Sequence, residues 1–164
     1  MIIVAAGSSL PFCGIDSQQL VLRSFSALRS LVREVEVSPL YKSPAWPDPS
    51  DPAYVNAVAR IETLMPADQL LSVLQAIEAS FGRRRTTRNA PRTLDLDLIA
   101  HGDLVTGDEG DRLILPHPRL ADRAFVLRPL ADIAPNWCHP INGASVVDLL
   151  KNVSLEGLER IEAA

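Results

Sequence analysis

Cysteine is scarce in this sequence: Cys13 and Cys138 stand alone, with no CxxC or metal-ligand spacing around them. That excludes a disulfide framework and a thiolate metal site, and it fits a reduced, cytoplasmic protein. No apolar run approaches the roughly 18 residues that a membrane-crossing helix needs. The apolar start Ile2-Ile3-Val4-Ala5-Ala6 lacks a basic flank and stops at Gly7-Ser8-Ser9, too soon for an export signal. Basic excess is missing too, since 16 Lys and Arg face 20 Asp and Glu for a net charge of −4. A coat for nucleic acid or an anionic membrane surface is thereby disfavoured. Aromatic residues are only 5% of the chain, and no internal repeat or low-complexity stretch is present.

Lysine is the most informative shortage. Lys42 and Lys151 are the only two, so 14 of the 16 basic residues are Arg. Five of these, Arg83, Arg84, Arg85, Arg88 and Arg92, fall within ten residues. An acidic chain with one concentrated Arg cluster has a place for a multiply charged anion, because guanidinium forks onto phosphate oxygens in a bidentate way. The remaining composition, 164 residues with 47% apolar and 22% charged, is that of one globular domain over 1–164 with its own core. No long apolar seam asks for a second copy, so a monomer is expected.

Residues 1–6 read as a buried strand ending in a tight polar turn. Asp16 with Gln19 marks a helix start, and Val21, Phe25, Leu28 and Val32 recur at one helical face. Residues 34–38 alternate as a half-buried strand, and Ser43 to Pro52 is a stiff Pro-rich loop. From Tyr54 to Glu62, Val55, Ala57, Ala59 and Ile61 share one face, while Tyr54, Asn56, Val58 and Arg60 share the other. Pro66 opens a second helix, with Leu70, Val73, Leu74, Ile77 and Phe81 as its stripe and Gly82 as its stop. Arg92 to Ala100 is a further strand, with Leu94, Leu96 and Leu98 inward. The order βαββαβ predicts a ferredoxin-like α+β core, a mostly antiparallel sheet carrying two helices. Residues 112–164 are expected to cover the far sheet face or the edges.

Four groupings bear on chemistry. Asp95 and Asp97, two apart on a strand, project from one face with Cα atoms roughly 6.5–7 Å apart. That pattern serves a solvated strand face, and it equally serves a Mg²⁺ site completed by substrate phosphates. The Arg-rich segment leads directly into this strand, so carboxylates and guanidiniums converge at one end of the sheet, as phosphoryl-type transfer requires. Tyr54 and Asn56 share a face, where a ring stacks on a flat heteroaromatic ligand and a carboxamide reads its edge, or where both are plain surface. Pro116-His117-Pro118-Arg119 precedes Arg123 and Phe125, either a stiff phosphate-binding loop or an ordinary loop and core helix.

Taken in register, these pieces resemble one family closely, the 6-hydroxymethyl-7,8-dihydropterin pyrophosphokinases of folate biosynthesis. The resemblance spans nearly the whole chain. It rests on Ala6-Gly7-Ser8-Ser9-Leu10, Ser38 to Trp46 with Tyr54-Val55-Asn56-Ala57, Gly82-Arg83, Pro91-Arg92-Thr93-Leu94-Asp95-Leu96-Asp97-Leu98, and Pro116-His117-Pro118-Arg119 with Arg123 and Phe125. It implies transfer of the β,γ-diphosphoryl group of ATP to the pterin's hydroxymethyl oxygen, with release of AMP. Asp95 and Asp97 would hold two Mg²⁺ ions, and Arg83 and Arg92 would act on the transferring group. Gln75, Glu78, Arg85, Arg88, Leu98, His117 and Arg123 would serve ATP. Tyr54, Phe125 and Asn56, with the chain around Ser43, Pro44 and Trp46, would hold the pterin. The chain departs from the family pattern at Ser9, where Asn is usual, at Asn89-Ala90, where Trp-Gly is usual, and at Pro118.

Two rival readings use the same residues. Another two-metal enzyme, such as a nucleotidyltransferase, would leave Tyr54, Asn56 and Phe125 unexplained. A ferredoxin-like RNA-binding module needs paired aromatics on its central strands, where this chain carries acids that repel an RNA backbone.

Overall fold

The computed structural model describes residues 1–46, 48–83, 91–108 and 112–162. The elements in chain order are β1 (Ile2–Ser8), α1 (Ser17–Arg29), β2 (Glu34–Val37), β3 (Tyr41–Ser43), β4 (Tyr54–Glu62), α2 (Ala67–Ser80) and β5 (Asp95–His101). A 3₁₀ turn (Leu120–Asp122), α3 (Ala124–Ile133), α4 (Val146–Leu150) and β6 (Glu159–Arg160) follow. The sheet runs β5-β1-β4-β3-β6, with β2 also on β4, and its paired strands are antiparallel. This is the expected ferredoxin-like α+β arrangement. Among the described residues no helix is long and apolar enough to cross a membrane.

Local chemistry explains where the elements start and stop. Asp16 caps α1 by accepting from the Gln19 N–H at 2.9 Å, while Gly82 takes φ +76° just past α2. Val21, Phe25 and Leu28 are buried as their spacing predicts, but Val32 lies beyond the end of α1 at Arg29. Pro66 stands at the N-cap of α2, one residue before its first turn.

The strand opposite β4 is split. Val37 pairs with Ala59 but Tyr41 with Asn56, so Ser38–Leu40 holds one residue more than the ladder needs. Pro39 has no N–H to give to the ladder, and across the bulge the Val58 N–H is taken by the Ser38 hydroxyl at 3.0 Å. Ser43, expected in a loop, is therefore a strand residue, in a strand too short to show a period.

Two cores sandwich the sheet. Val4, Ala6, Ala57, Ala59, Leu94, Leu96 and Leu98 pack against α1 and α2. On the opposite face Ile3, Ala5, Val58, Ile99 and Ala100 pack against α3 and α4. A register shift between Ile3 and Val4 leaves Ile99 as an extra residue, so the adjacent Ile99 and Ala100 both serve the second core. Pro129 inside α3 removes a ladder hydrogen bond, a cost of about 3 kcal/mol. Burial of Val126, Leu127 and Leu130 at about 1.5–3 kcal/mol each outweighs it. The C-terminal region thus covers the far face, and β6 covers the edge at β3, as expected.

Candidate active site

Helices α3 and α4 leave one end of their sheet face open, and a cleft of about 1070 Å³ occupies it. Its floor follows from strand alternation. Leu94, Leu96 and Leu98 face α1 and α2, so Asp95 and Asp97 face the other way, into the cleft. Gly7 pairs with Asp95 on one side and Asn56 on the other. A Cβ at Gly7 would sit 3.3 Å from Asn56 Oδ1, so glycine keeps the floor between carboxylate and carboxamide low.

The two carboxylates are each bonded by guanidinium. Arg83 Nη1 donates to Asp95 Oδ1 at 2.8 Å, and Arg92 Nη1 donates to Asp95 Oδ2 at 3.0 Å. Arg123 Nη1 donates to Asp97 Oδ2 at 2.6 Å. Glu78 Oε1 also lies 4.0 Å from Arg83 Nη1, so three carboxyl groups face the three guanidiniums, in a recess where water screens them poorly. Burial works against the charge on Arg92, but Asp95 and Tyr54 outweigh it and raise its pKa.

His117 is held by its backbone, whose N–H donates to the Ile99 carbonyl at 2.8 Å. Its Nδ1 accepts from the Arg119 N–H at 3.1 Å, which leaves the proton of the neutral ring on Nε2, 3.9 Å from Asp97 Oδ2. Burial, reinforced by Arg123, pushes the His117 pKa down, so the ring is neutral at pH 7.

Along the other wall, Asn56 is only 4% exposed. Its Nδ2 donates to Ser43 Oγ at 2.9 Å, which leaves Oδ1 to face the cleft beside Gly7. Tyr54, Ser43 and Pro44 line the same wall, with Trp46, 70% exposed, at the mouth. Phe125 lines the cleft while packing on the α3–α4 core, and the Arg123 guanidinium lies 5.7 Å from its ring centroid. Tyr41 ties the two walls: its hydroxyl donates to Asp132 Oδ2 of α3 at 2.6 Å, and Arg128 holds the other oxygen at 2.8 Å.

Of the residues expected at a site, the cleft gathers Arg83, Arg92, Asp95, Asp97, Gln75, Glu78, His117, Arg123, Ser43, Pro44, Trp46, Tyr54, Asn56 and Phe125. Leu98 is not among them: its side chain is buried in the α1–α2 core, on the opposite face from Asp97. Glu78 is 5% exposed, and its Oε1 accepts the Leu96 N–H at 2.7 Å. It braces the strand between the two aspartates. Arg85 and Arg88 lie outside the described residues.

Sequence reasoning missed Arg112, which lines the cleft and donates to Gln75 Oε1 at 2.9 Å. It also missed Ser154, Glu156 and Leu158, which reach the cleft from the C-terminal segment. An isolated Arg and a loop with no motif carry no signal of their own. Gly157, at φ +72°, lies close enough to Pro44 that a Cβ would sit 3.2 Å from its ring.

The donor set fits Mg²⁺. Asp95 and Asp97 offer hard carboxylate oxygens at the cleft, and among the described residues no group of three or more His, Cys, Asp or Glu forms a cage. A small oxygen-seeking cation held by one or two carboxylates takes its other ligands from substrate phosphate and water.

A ferredoxin-like sheet thus carries an acidic pair, with arginines on it and Tyr54, Asn56 and Phe125 beside it in one cleft. The chain belongs to the 7,8-dihydro-6-hydroxymethylpterin-pyrophosphokinase family, whose model matches residues 3–135. It is 42% identical over 127 residues to the 2-amino-4-hydroxy-6-hydroxymethyldihydropteridine pyrophosphokinase of Synechocystis, an alignment covering 76% of this chain and 64% of that one. It is 39% identical over 163 residues to the protein of the same name from Pseudomonas aeruginosa, covering 98% of this chain and 96% of the other. Its fold matches the crystal structure of Plasmodium falciparum HPPK-DHPS with a TM-score of 0.73 at 12% identity, over 99% of this chain and 47% of that one.

Proposed function

We propose that this chain transfers the β,γ-diphosphoryl group of ATP to the hydroxymethyl oxygen of 6-hydroxymethyl-7,8-dihydropterin and releases AMP. One observation carries the reading: a single cleft holds the Arg-bonded pair Asp95 and Asp97 next to the Tyr54–Asn56–Phe125 slot. In the transfer, the hydroxymethyl oxygen bonds to the β-phosphorus. The bond from that phosphorus to the α,β-bridging oxygen breaks, and AMP departs with the electron pair.

Asp95 and Asp97 would hold two Mg²⁺ ions, which when bound neutralise phosphate charge and acidify the attacking alcohol. The chain's own residues supply the rest. As the carboxylates turn to a cation, Arg83, Arg92 and Arg123 give up their bonds to Asp95 and Asp97 and become donors to phosphate oxygens, while the Leu94 carbonyl still holds Arg83. Arg83 and Arg92, both on Asp95, would serve the transferring group, and His117 Nε2–H with Arg123 the neighbouring phosphate. Gln75 and Arg112 border the nucleotide end of the cleft. Asn56 Oδ1 accepts from the pterin's N–H edge while Tyr54 and Phe125 flank its ring. The alcohol's proton passes to solvent or phosphate; catalysis is positioning and charge neutralisation.

The test is product analysis. With Mg²⁺, ATP and the hydroxymethyl dihydropterin, AMP and the pterin diphosphate should appear in equal amounts. ADP, or free pyrophosphate with an AMP-linked pterin, would overturn the reading.

A further inference from the structure

The two arginines on Asp95 sit at opposite ends of the Arg-rich segment, and one loop grips both ends. Ser9, just past β1, is 6% exposed, and its hydroxyl accepts the Arg92 N–H at 3.1 Å and donates to the Arg92 carbonyl at 3.4 Å. The backbone N–H groups of Ser9 and Leu10 donate to that same carbonyl at 3.0 and 3.1 Å. Both main-chain polar groups of Arg92 are therefore held by a loop 83 residues away in sequence. This capture is what keeps Arg92 out of β5. At the other end, the Phe12 ring lies directly on Gly82, where a Cβ would come within 2.2 Å of Phe12 Cε2. Gly82 immediately precedes Arg83. The turn that presents Phe12 is closed by reciprocal backbone bonds between Phe12 and Ile15 at 3.0 and 2.9 Å.

We propose that the β1–α1 loop is a two-ended clamp that positions Arg83 and Arg92 on Asp95, with Ser9 and Phe12 as its positioning residues. The inference rests on the reading that these arginines act on the transferring group. A guanidinium that must meet developing charge gains from being held in place before the reaction, and a small displacement is costly in rate. Ser9 touches no substrate in this account; it acts through the Arg92 backbone. Because Ser9→Ala keeps the two N–H donors to the Arg92 carbonyl, the change loosens the arginine without dismantling the loop.

The test is a pair of double-mutant cycles read by single-turnover transfer and by equilibrium ATP binding. Ser9→Ala should slow transfer about tenfold, the equivalent of one lost hydrogen bond, with ATP affinity changed by less than about twofold. In an Arg92→Ala background the same change should have no further effect. Phe12→Ala should behave in the same way toward Arg83→Ala. An equal loss in both backgrounds, no loss in the native background, or a loss confined to ATP binding would overturn the clamp. Full transfer rates in Arg83→Ala and Arg92→Ala would instead overturn the reading of the arginines on which it rests.

Discussion

Arg83 and Arg92 spend donors on two oxygens of one carboxylate, and Asp95 is only 30% exposed by side chain. Such charge-assisted bonds are short and strong, yet partial exposure screens them, so they can be exchanged for phosphate. Removing either guanidinium should then cost transition-state stabilisation more than binding. Arg83→Ala and Arg92→Ala are expected to slow single-turnover transfer by about 10²–10³-fold, the usual scale for one lost oxyanion donor. ATP affinity should fall by less than about tenfold, since other cationic groups remain in the cleft; comparable losses in both measurements would remove the assignment.

His117 makes a pH-dependent contribution. Burial and Arg123 hold its pKa below the ordinary 6.5, so as pH falls the unfolded chain takes up the proton first. The contribution is complete above about pH 6.5 and is lost as pH falls toward the lower folded-state value. Chemical denaturation across pH 5–8 should show this decline, and His117→Gln should make it shallower, leaving the part that burial of His139 contributes. An unchanged profile in the variant would show that other groups cause the decline.

At the scale of elements, alternation along β5 and β4 is the main device, and it was legible. Leu94-Asp95-Leu96-Asp97-Leu98 separates core from cleft by period alone, and the amphipathic stripes of α1 and α2 are equally plain. The short β3 and the bulge at Ser38–Leu40 were not, because they depend on pairing with β4 across the sheet. Nor was the burial of Val58, which an α3 packed on its face supplies. Gly7 shows what an element must leave out. A side chain there would rise into the floor between Asp95 and Asn56 without backbone strain. Gly7→Val should raise the pterin KM by about 10–100-fold while shifting Tm by no more than a few degrees. A large loss of Tm would mean that the position is structural.

The whole molecule makes the cleft from segments far apart in the chain: β1, β3–β4, α2, β5, the turn before α3, and the C-terminal tail. The tail packs Gly157 on Pro44, pairs β6 with β3, and bonds the Ile161 N–H to the Leu40 carbonyl at 2.9 Å. It adds to the first core only the partly buried Ile161. A chain ending at Val153 should therefore stay folded, with a stability loss of about 1–2 kcal/mol. Its pterin KM should rise several-fold while ATP affinity holds, because the lost residues border the Pro44 wall. Equal weakening of both substrates, measured by KM and equilibrium binding, would refute this division of the cleft.

Residue type and spacing by themselves determined the βαββαβ order, the inward leucines, the outward aspartates, and the convergence of arginines on an acidic strand. These are properties of neighbours in sequence, set by periods of about 2 and 3.6 residues and by charge. Tertiary structure alone decided which guanidinium meets which carboxylate. It also turned Glu78 to the Leu96 N–H, brought Arg112 and the tail to the cleft, and set Ser9 on Arg92. Those outcomes depend on contacts between segments tens of residues apart, for which local sequence carries no period to read.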